Sequence, residues 1–155
     1  MYIIIGSSPE NVTSTMHTKM LTGRHHFTAY WTLGWHQGKQ GYVNSADTWF
    51  NIRQSQIDML PIDCQWIDND YMKNFADFVL DDQDWADLGT QMNVSEQHHN
   101  VHYVVKLEPG LAVQPDYLIY QQAKEQGLLV KDWKGDPMVG SGAAGDVVYP
   151  DFYNY

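Results

Sequence analysis

The sequence predicts an α/β protein in which helices cover a parallel β-sheet. Two apolar-rich segments with the length of buried strands lie at 62–67 and 101–107, and Pro109-Gly110 stops the second one. Segments of helical character lie before, between and after these runs, so strand and helix alternate along the chain. Near-continuous apolar strands alternating with helices are typical of a sheet buried on both faces. A doubly wound open sheet and a (β/α)₈ barrel are both compatible with this order.

The first helix has the clearest capping signals. A short β-branched strand is predicted for residues 2–5, and a serine at position 7 or 8 can cap the helix predicted from Pro9 to about Leu21. Pro9 suits a first helical position, where a missing N–H costs no helical hydrogen bond. Glu10 follows at the positive end of the helix dipole.

The remaining elements are predicted in the same alternating order. They are an aromatic strand at 29–35, a helix at 45–59 capped by Ser45, the strand 62–67, a helix from 81 to about 100, the strand 101–107, a helix at 115–126, a short strand at 128–131, and a Gly- and Pro-rich hairpin or long loop at 132–145.

Composition and motifs exclude several functional classes. The net charge of −10 argues against nucleic acid or an anionic membrane surface, because phosphate binding requires clustered Lys and Arg. No apolar run approaches the roughly 20 residues of a membrane span. Cys64 is the only cysteine, so no internal disulfide is possible. The glycine motifs of dinucleotide and nucleoside triphosphate sites and the G-x-S-x-G of serine hydrolases are absent.

The histidines do not form a predicted metal site. His98 and His102 have the spacing of helical metal ligands, but the strand predicted from Val101 breaks the shared helix face. No acid or cysteine completes a coordination shell at a readable spacing. We therefore predict no metal.

The segment WIDNDYM, residues 66–72, places two acids directly after the strand 62–67. Side chains alternate along a strand, so Asp68 shares a face with Trp66 and lies at the carboxyl end, where parallel sheets bind their ligands. Asp68 and Asp70 are therefore candidates for a ligand site. The alternative is that Asp68 caps the turn and Asp70 is solvated, which is common for Asp after a strand.

The aromatic segment YWTLGWHQGKQGY, residues 30–42, has two interpretations as well. Trp31, Trp35 and Tyr42 could stack on the apolar faces of sugar rings. Packing in the core explains Trp31 and Trp35 equally well. His36 could donate to a ligand or be structural.

Five segments in chain order together resemble one family, the retaining α-glucosidases of glycoside hydrolase family thirty-one. They are GSSPENV at 6–12, YWTLGWHQGKQGY at 30–42, LPIDCQWIDNDYM at 60–72, VVKLEPGL at 104–111 and PDF at 150–152. The second and third are similar to Y-W-A-L-G-F-H-Q-C-R-[WY]-G-Y and I-P-L-D-V-Q-W-x-D-I-D-Y-M of that family. The resemblance covers most of the chain.

The resemblance implies a partial (β/α)₈ TIM barrel of about the first three βα units. Residues 1–6 would be the remnant strand of a preceding β-sandwich, and residues 7–155 an incomplete barrel domain. It implies α-linked glucosides or oligosaccharides as ligands, a retaining two-carboxylate mechanism, and no cofactor. It also assigns Asp68 the role of accepting sugar hydroxyls beside the cleaved bond, which orients the ring without acting as the nucleophile.

The same resemblance implies three further substrate-binding residues, Asn69, Gln40 and Leu111, of which two depart from the family pattern. Asn69 stands where the family has an apolar Ile, and Lys39-Gln40 replaces Arg and an aromatic residue. Glu108 replaces the Asp of L-D-P. These departures favour a second hypothesis, a non-catalytic domain kept as a scaffold or interaction module.

The family's nucleophile lies in a later segment, W-x-D-M-N-E, which does not occur among the 155 residues. We therefore expect this chain alone to be inactive. A partial barrel would expose strand edges and apolar helix faces, so both hypotheses predict contact with another polypeptide that completes or covers it.

Overall fold

The computed structural model describes residues 3–17, 23 and 26–154. These fall into two compact units, the first ending at Tyr30 and the second beginning at Trp31. The first unit contains helix α1, Pro9–Thr15, which begins as predicted because the Ser8 hydroxyl accepts the N–H of Asn11 at 3.2 Å. The predicted continuation to Leu21 runs into residues 18–22, which lie outside the described residues.

The strand predicted for residues 2–5 is wrong in its described part. Ile3, Ile4 and Ile5 have no strand partner among the described residues, and Tyr2 is not among them. A β-strand is defined by hydrogen bonds to a neighbouring strand, so β-branched composition alone does not produce one.

A three-stranded parallel sheet forms the centre of the second unit. Its strands are β1, Trp35–Gln37, β2, Ile62–Ile67, and β3, His102–Val105, in the order β1-β2-β3. Cys64 pairs with both His36 and His102, so β2 is bonded on both sides. The parallel sheet and the bounds of β2 confirm the predicted α/β class, whereas β3 is shorter than the predicted 101–107.

The aromatic strand predicted at 29–35 is wrong, because the chain enters the sheet only at Trp35. Tyr30–Leu33 forms a 3₁₀ helix, and Tyr30 is 91% exposed. The carboxylate of Asp63 on β2 accepts the N–H of Trp35 at 2.8 Å and occupies the space beside Gly34, where a Cβ would overlap it. This side-chain contact takes the place of ladder pairing before Trp35.

Helices follow the strands at bounds different from those predicted. Helix α2 is Ser45–Ile57, and its N-cap is Asn44 rather than Ser45, because the Asn44 amide oxygen accepts the N–H of Asp47 at 3.0 Å. Helix α3 is only Leu88–Val94, followed by a π-helical turn, Ser95–His99. The predicted start at 81 is wrong because the Asp81 carboxylate accepts the N–H of Gln83 at 3.0 Å, which favours a turn.

The segments after β2 and β3 complete the second unit. Two short 3₁₀ helices, Asn69–Tyr71 and Lys73–Phe75, follow β2 directly, and helix α4 is Leu118–Glu125. A small antiparallel sheet contains β4, Leu111–Ala112, β5, Val139–Gly142, and β6, Gly145–Val148, in the order β4-β6-β5. The β5–β6 pair is a hairpin, one of the two forms predicted for this region. Leu129 and Lys131 of the predicted strand 128–131 make only isolated bridges.

The core is divided into clusters on the helical side of the parallel sheet and around the small sheet. The first cluster contains Tyr42, Ile67, Tyr71, Met72, Trp85 and Leu88. The second contains Ala76, Leu111, Ala112, Tyr117, Tyr120, Leu129 and Val148. No helix in the described ranges is long and apolar enough to cross a membrane.

A substitution at Gly34 tests the contact between the Asp63 carboxylate and the Trp35 N–H, which sets where strand β1 begins. Gly34→Ala should lower the free energy of unfolding by about 1–3 kcal/mol, because the new methyl must displace the Asp63 carboxylate from the Trp35 N–H. The measurement is equilibrium unfolding in urea. The control is Gly89→Ala within α3, where a Cβ meets no atom within 4 Å and the free energy should rise by about 0.5–1 kcal/mol. Equal effects of the two substitutions would contradict the proposed contact.

Candidate functional site

A pocket of about 420 Å³ lies at the carboxyl ends of the three parallel strands. Its lining combines the last residues of β1 and β2 with residues that follow the three strands, namely His36, Gly38, Lys39, Gln40, Trp66, Ile67, Asp68 and Lys106. Two of the four predicted sugar-binding residues, Asp68 and Gln40, therefore lie together in it. This is the edge at which parallel α/β sheets bind ligands.

Asp70 holds the loop that forms one side of this pocket. The N–H of Gly41 donates to both carboxylate oxygens of Asp70 at 3.0 Å, and the N–H of Tyr42 donates to Oδ2 at 3.4 Å. Lys39 places its ammonium 4.9 Å from the centre of the Tyr42 ring. Asp70 therefore fixes the backbone rather than being only solvated.

Asp68 has a double role at the end of β2. One carboxylate oxygen, Oδ1, accepts the N–H of Asn69 at 2.8 Å and caps the 3₁₀ helix that follows. The same oxygen lies 3.2 Å from Nζ of Lys106. Within the described part of the chain Oδ2 makes no hydrogen bond, so it can accept one from a ligand. Both readings made from the sequence, turn cap and ligand site, thus fit the same side chain.

Asn69 and Leu111 do not line this pocket. The Asn69 side chain is buried, and its Nδ2 donates to Oε1 of Glu108 at 2.7 Å. Leu111 lies in β4 and packs in the core around the small sheet. Sugar contact by Asn69 and Leu111 stays a prediction from resemblance, without support from their position here.

Of the tryptophans near this edge of the sheet, one lines the pocket and two lie outside its lining. Trp66 lines the pocket, and its indole N–H donates to Nδ1 of His36 at 2.8 Å. Trp31 stacks on His102 with ring centroids 4.3 Å apart, whereas Trp35 is 58% exposed. His36 thus orients Trp66, which is a structural role in addition to lining the pocket.

Lys106, Lys39 and Trp66 were missed as site residues when only the sequence was considered. Since Ile67 pairs with Val105, the next residues along each strand, Asp68 and Lys106, become neighbours at the same edge. A charged residue directly after an apolar strand is the signal that identified Asp68. The same rule applied to the predicted strand 101–107 selects Glu108 instead, because Lys106 lies inside that predicted strand and follows β3 only at its observed end, Val105.

Two other groups considered for chemistry are unreactive or structural in this fold. Burial, with the charge of Asp63, raises the pKa of the Cys64 thiol to about 11, so the thiolate nucleophile is scarce at neutral pH. His102 places Nδ1 3.3 Å from Glu96, while His98 lies in the π-helical turn. In the described ranges no group of three metal-ligating side chains comes together.

Asp77 is a buried carboxylate behind the site. Its Oδ1 accepts the N–H of Glu108 at 2.9 Å, and its carbonyl accepts the Tyr117 hydroxyl at 2.8 Å. Burial raises the pKa of Asp77 above its ordinary value, an effect that the hydrogen bond from Glu108 partly opposes. Burial, with the nearby charge of Asp77, also raises the pKa of Tyr117 to about 12. Asp77 therefore positions the segment that carries Glu108.

A pocket with charged and aromatic side chains at the carboxyl ends of parallel strands defines the class of protein, an α/β domain with the ligand edge of a barrel or wound sheet. A family model for the TIM-barrel domain of glycosyl hydrolases family 31 matches residues 25–155. The chain belongs to this glycoside hydrolase family. This confirms the family resemblance found in the sequence and makes the parallel sheet part of a TIM-barrel domain.

Two curated relatives show the extent of the similarity. The chain is 33% identical over 127 residues to an alpha-glucosidase of Hordeum vulgare, with 79% of this chain and 14% of the relative covered. It is 31% identical over 154 residues to a probable alpha-glucosidase of Oryza sativa subsp. japonica, with 99% of this chain and 17% of the relative covered. The chain thus spans less than a fifth of the length of these relatives.

Solved structures show the same fold. The Tris-bound glucosidase II alpha subunit matches with a TM-score of 0.85 at 24% identity, over 97% of this chain and 16% of that one. In a second structure this catalytic subunit is in a heterodimeric complex with the binding domain of a regulatory subunit, and the match has a TM-score of 0.76 at 24% identity over 80% of this chain and 13% of that one.

Asp77→Asn should change how stability depends on pH. Because the folded state raises the pKa of Asp77, it binds the proton more tightly than the unfolded chain does, and ionisation costs stability as pH rises from the ordinary value through the raised one. The neutral amide avoids that cost and can still accept the Glu108 N–H. Urea unfolding between about pH 4 and pH 8 should show that the free energy of unfolding of the variant increases relative to that of the unaltered chain as pH rises. An increase in the free energy of unfolding of the unaltered chain relative to the variant as pH rises would refute the raised pKa of Asp77.

Proposed function

We propose that this chain provides part of the sugar-binding rim of a retaining α-glucosidase-type glycoside hydrolase. The observation that carries the proposal is the position of Asp68, in a pocket at the carboxyl end of β2 with one carboxylate oxygen able to accept hydrogen bonds. Charge-assisted hydrogen bonds from hydroxyls to a fixed carboxylate orient a sugar ring. The exposed ring of Trp66 offers an apolar surface to the ring face.

The names of two relatives support the proposed substrate class. The barley relative is named an alpha-glucosidase and the rice relative a probable one, which supports α-linked glucosides or oligosaccharides as ligands. In a retaining mechanism two carboxylates flank the cleaved bond, one as nucleophile and one as acid/base. Asp68 has neither role in this proposal, because the family resemblance assigns the nucleophile to the segment W-x-D-M-N-E, which does not occur among the 155 residues. Gln40 lines the same pocket and is the second residue proposed to contact sugar.

We also propose that another polypeptide, or another part of a longer one, covers this domain. In the described residues β1 and β3 each pair on one side only. Large apolar side chains are exposed on several elements, among them Trp35, Phe50, Ile57, Leu107 and Leu118. Open strand edges and apolar patches bind other chains or aggregate. The heterodimeric glucosidase II complex is a precedent for assembly in a protein of similar fold.

The second candidate function is a non-catalytic scaffold. The observation favouring it is the burial of Asn69, which is 4% exposed and is hydrogen-bonded to Glu108. Asn69 and Glu108 both depart from the family pattern. If their hydrogen bond only stabilises the domain, the pocket has lost the sugar contact that the family has at position 69 and has gained none. A sugar-binding measurement distinguishes this candidate from the first.

Asp68→Asn should weaken binding of methyl α-glucoside or maltose by at least about tenfold, because a charge-assisted acceptor is lost. Binding is measured by amide NMR titration of the labelled chain. The matched control is Asp82→Asn, an exposed acid paired with Lys73 and absent from the pocket lining, which should leave affinity unchanged. No binding by the unaltered chain would favour the scaffold.

The same chain is expected to show no turnover of an α-glucoside with a chromogenic leaving group. Turnover that Asp68→Asn abolishes would contradict the proposal that Asp68 orients the sugar and the nucleophile lies elsewhere.

Self-association should appear when this chain is isolated, because its uncovered edges and apolar side chains can pair with one another. Light scattering coupled to size exclusion should show mass rising with concentration, and Trp35→Lys on the edge strand β1 should reduce it. Trp133→Lys serves as control, since Trp133 is 88% exposed but lies outside the parallel sheet. A monomer at all concentrations would refute the need for a covering polypeptide.

A further inference from the structure

Lys106 is the lysine of the pocket lining that contacts two carboxylates. Its Nζ lies 3.2 Å from Oδ1 of Asp68 and 3.1 Å from Oε1 of Glu108. Its backbone is fixed as well, because its N–H donates to the carbonyl of Ile67 at 2.9 Å and its carbonyl accepts the Tyr71 hydroxyl at 2.8 Å. The ammonium group therefore lies between two carboxylates at the edge of the pocket.

The ammonium retains a donor for a ligand. Lys carries three N–H donors, and the two carboxylates account for two of them. The hydrogen bonds to Glu108 and to Asp68 raise the pKa of Lys106, so it stays charged at neutral pH. Asp68 correspondingly retains Oδ2 as an acceptor. A donor and an acceptor thus lie side by side in the same pocket.

Glu108 and Asn69, two of the departures from the family pattern, support this arrangement together. Oε1 of Glu108 accepts from Nδ2 of Asn69 at 2.7 Å and from Lys106 at 3.1 Å. An Asp at position 108 would be one methylene shorter, and an Ile at position 69 would donate nothing. The two substitutions are therefore coupled, since each provides the partner of the other.

We propose that Lys106 is a specificity-determining residue, held by Glu108 and Asn69, which reads one sugar hydroxyl while Asp68 reads the neighbouring one. The proposal rests on the sugar-binding function given above. Because Nζ and the Asp68 carboxylate are in contact, two adjacent ring hydroxyls can reach both groups at once. The ligand class is a pyranoside with two neighbouring free hydroxyls, and a ring lacking one of them leaves the Lys106 donor or the Asp68 acceptor without its sugar partner.

The test combines protein variants with ligand variants. The ligands are methyl α-glucoside and its monodeoxy analogues, each lacking one ring hydroxyl, titrated into the labelled chain by NMR. For the unaltered chain we expect two analogues, lacking neighbouring hydroxyls, to bind at least about tenfold more weakly than the parent. Lys106→Met keeps the length of the side chain but removes every donor. This variant should bind methyl α-glucoside more weakly than the unaltered chain does, and it should no longer discriminate against one of those two analogues.

Three further variants make this assignment specific. Lys106→Arg keeps the positive charge and the N–H donors, so it should retain the preference for the parent glucoside over both analogues. If Lys106 only stabilised the fold, Lys106→Arg and Lys106→Met would not differ in this preference. Glu108→Asp keeps all pocket-lining residues but shortens the support, so discrimination should fall by several fold. Lys131→Met removes an exposed lysine that does not line the pocket and should change nothing. Urea unfolding of each variant establishes that it is folded.

The outcomes separate the two proposals. Absence of glucoside binding by the unaltered chain would overturn the proposed function and this inference with it. Binding with the same analogue preference in Lys106→Met as in the unaltered chain would overturn this inference alone. Loss of one analogue preference in Lys106→Met, restored in Lys106→Arg, would establish it.

Discussion

The two-sided pairing of β2 is the constraint on which the rest of the site depends. Cys64 at its centre pairs with His36 on one neighbour and His102 on the other, so three strands end at one edge. That register brings Asp68 beside Lys106 and the loop after β1 across from both. A shift of one residue would turn every side chain of β2 to the opposite face and remove Asp68 from the pocket.

Four aspartates on or after β2 have different roles at this edge of the sheet. Asp63 sets where the first strand begins, Asp70 holds the loop beside the pocket, and Asp77 holds the backbone of Glu108. Only Asp68 combines a place in the pocket lining with an oxygen that can receive a ligand. A cluster of acids near a strand end is thus mostly structural, because each carboxylate satisfies backbone N–H groups that loops leave unpaired.

The sequence predicted the elements that short windows encode. The bounds of β2 followed from its apolar run, and the start of α1 from Ser8 and Pro9. The aromatic segment before β1 was mispredicted, because its aromatic composition suggested burial whereas a contact with Asp63, 28 residues later, decides where the strand begins. In the site, Asp68 and Gln40 were found and Lys106 was missed.

The sequence by itself determined the α/β class, the family and the carboxylate at the end of β2, since hydrophobic pattern and motif spacing are local properties. Only the tertiary structure decided what the departures mean. Asn69 and Glu108 are 39 residues apart and become partners through the β2–β3 register. Asp70 reaches Gly41 across 29 residues in the same way. Such contacts depend on how strands pair, which no single segment specifies.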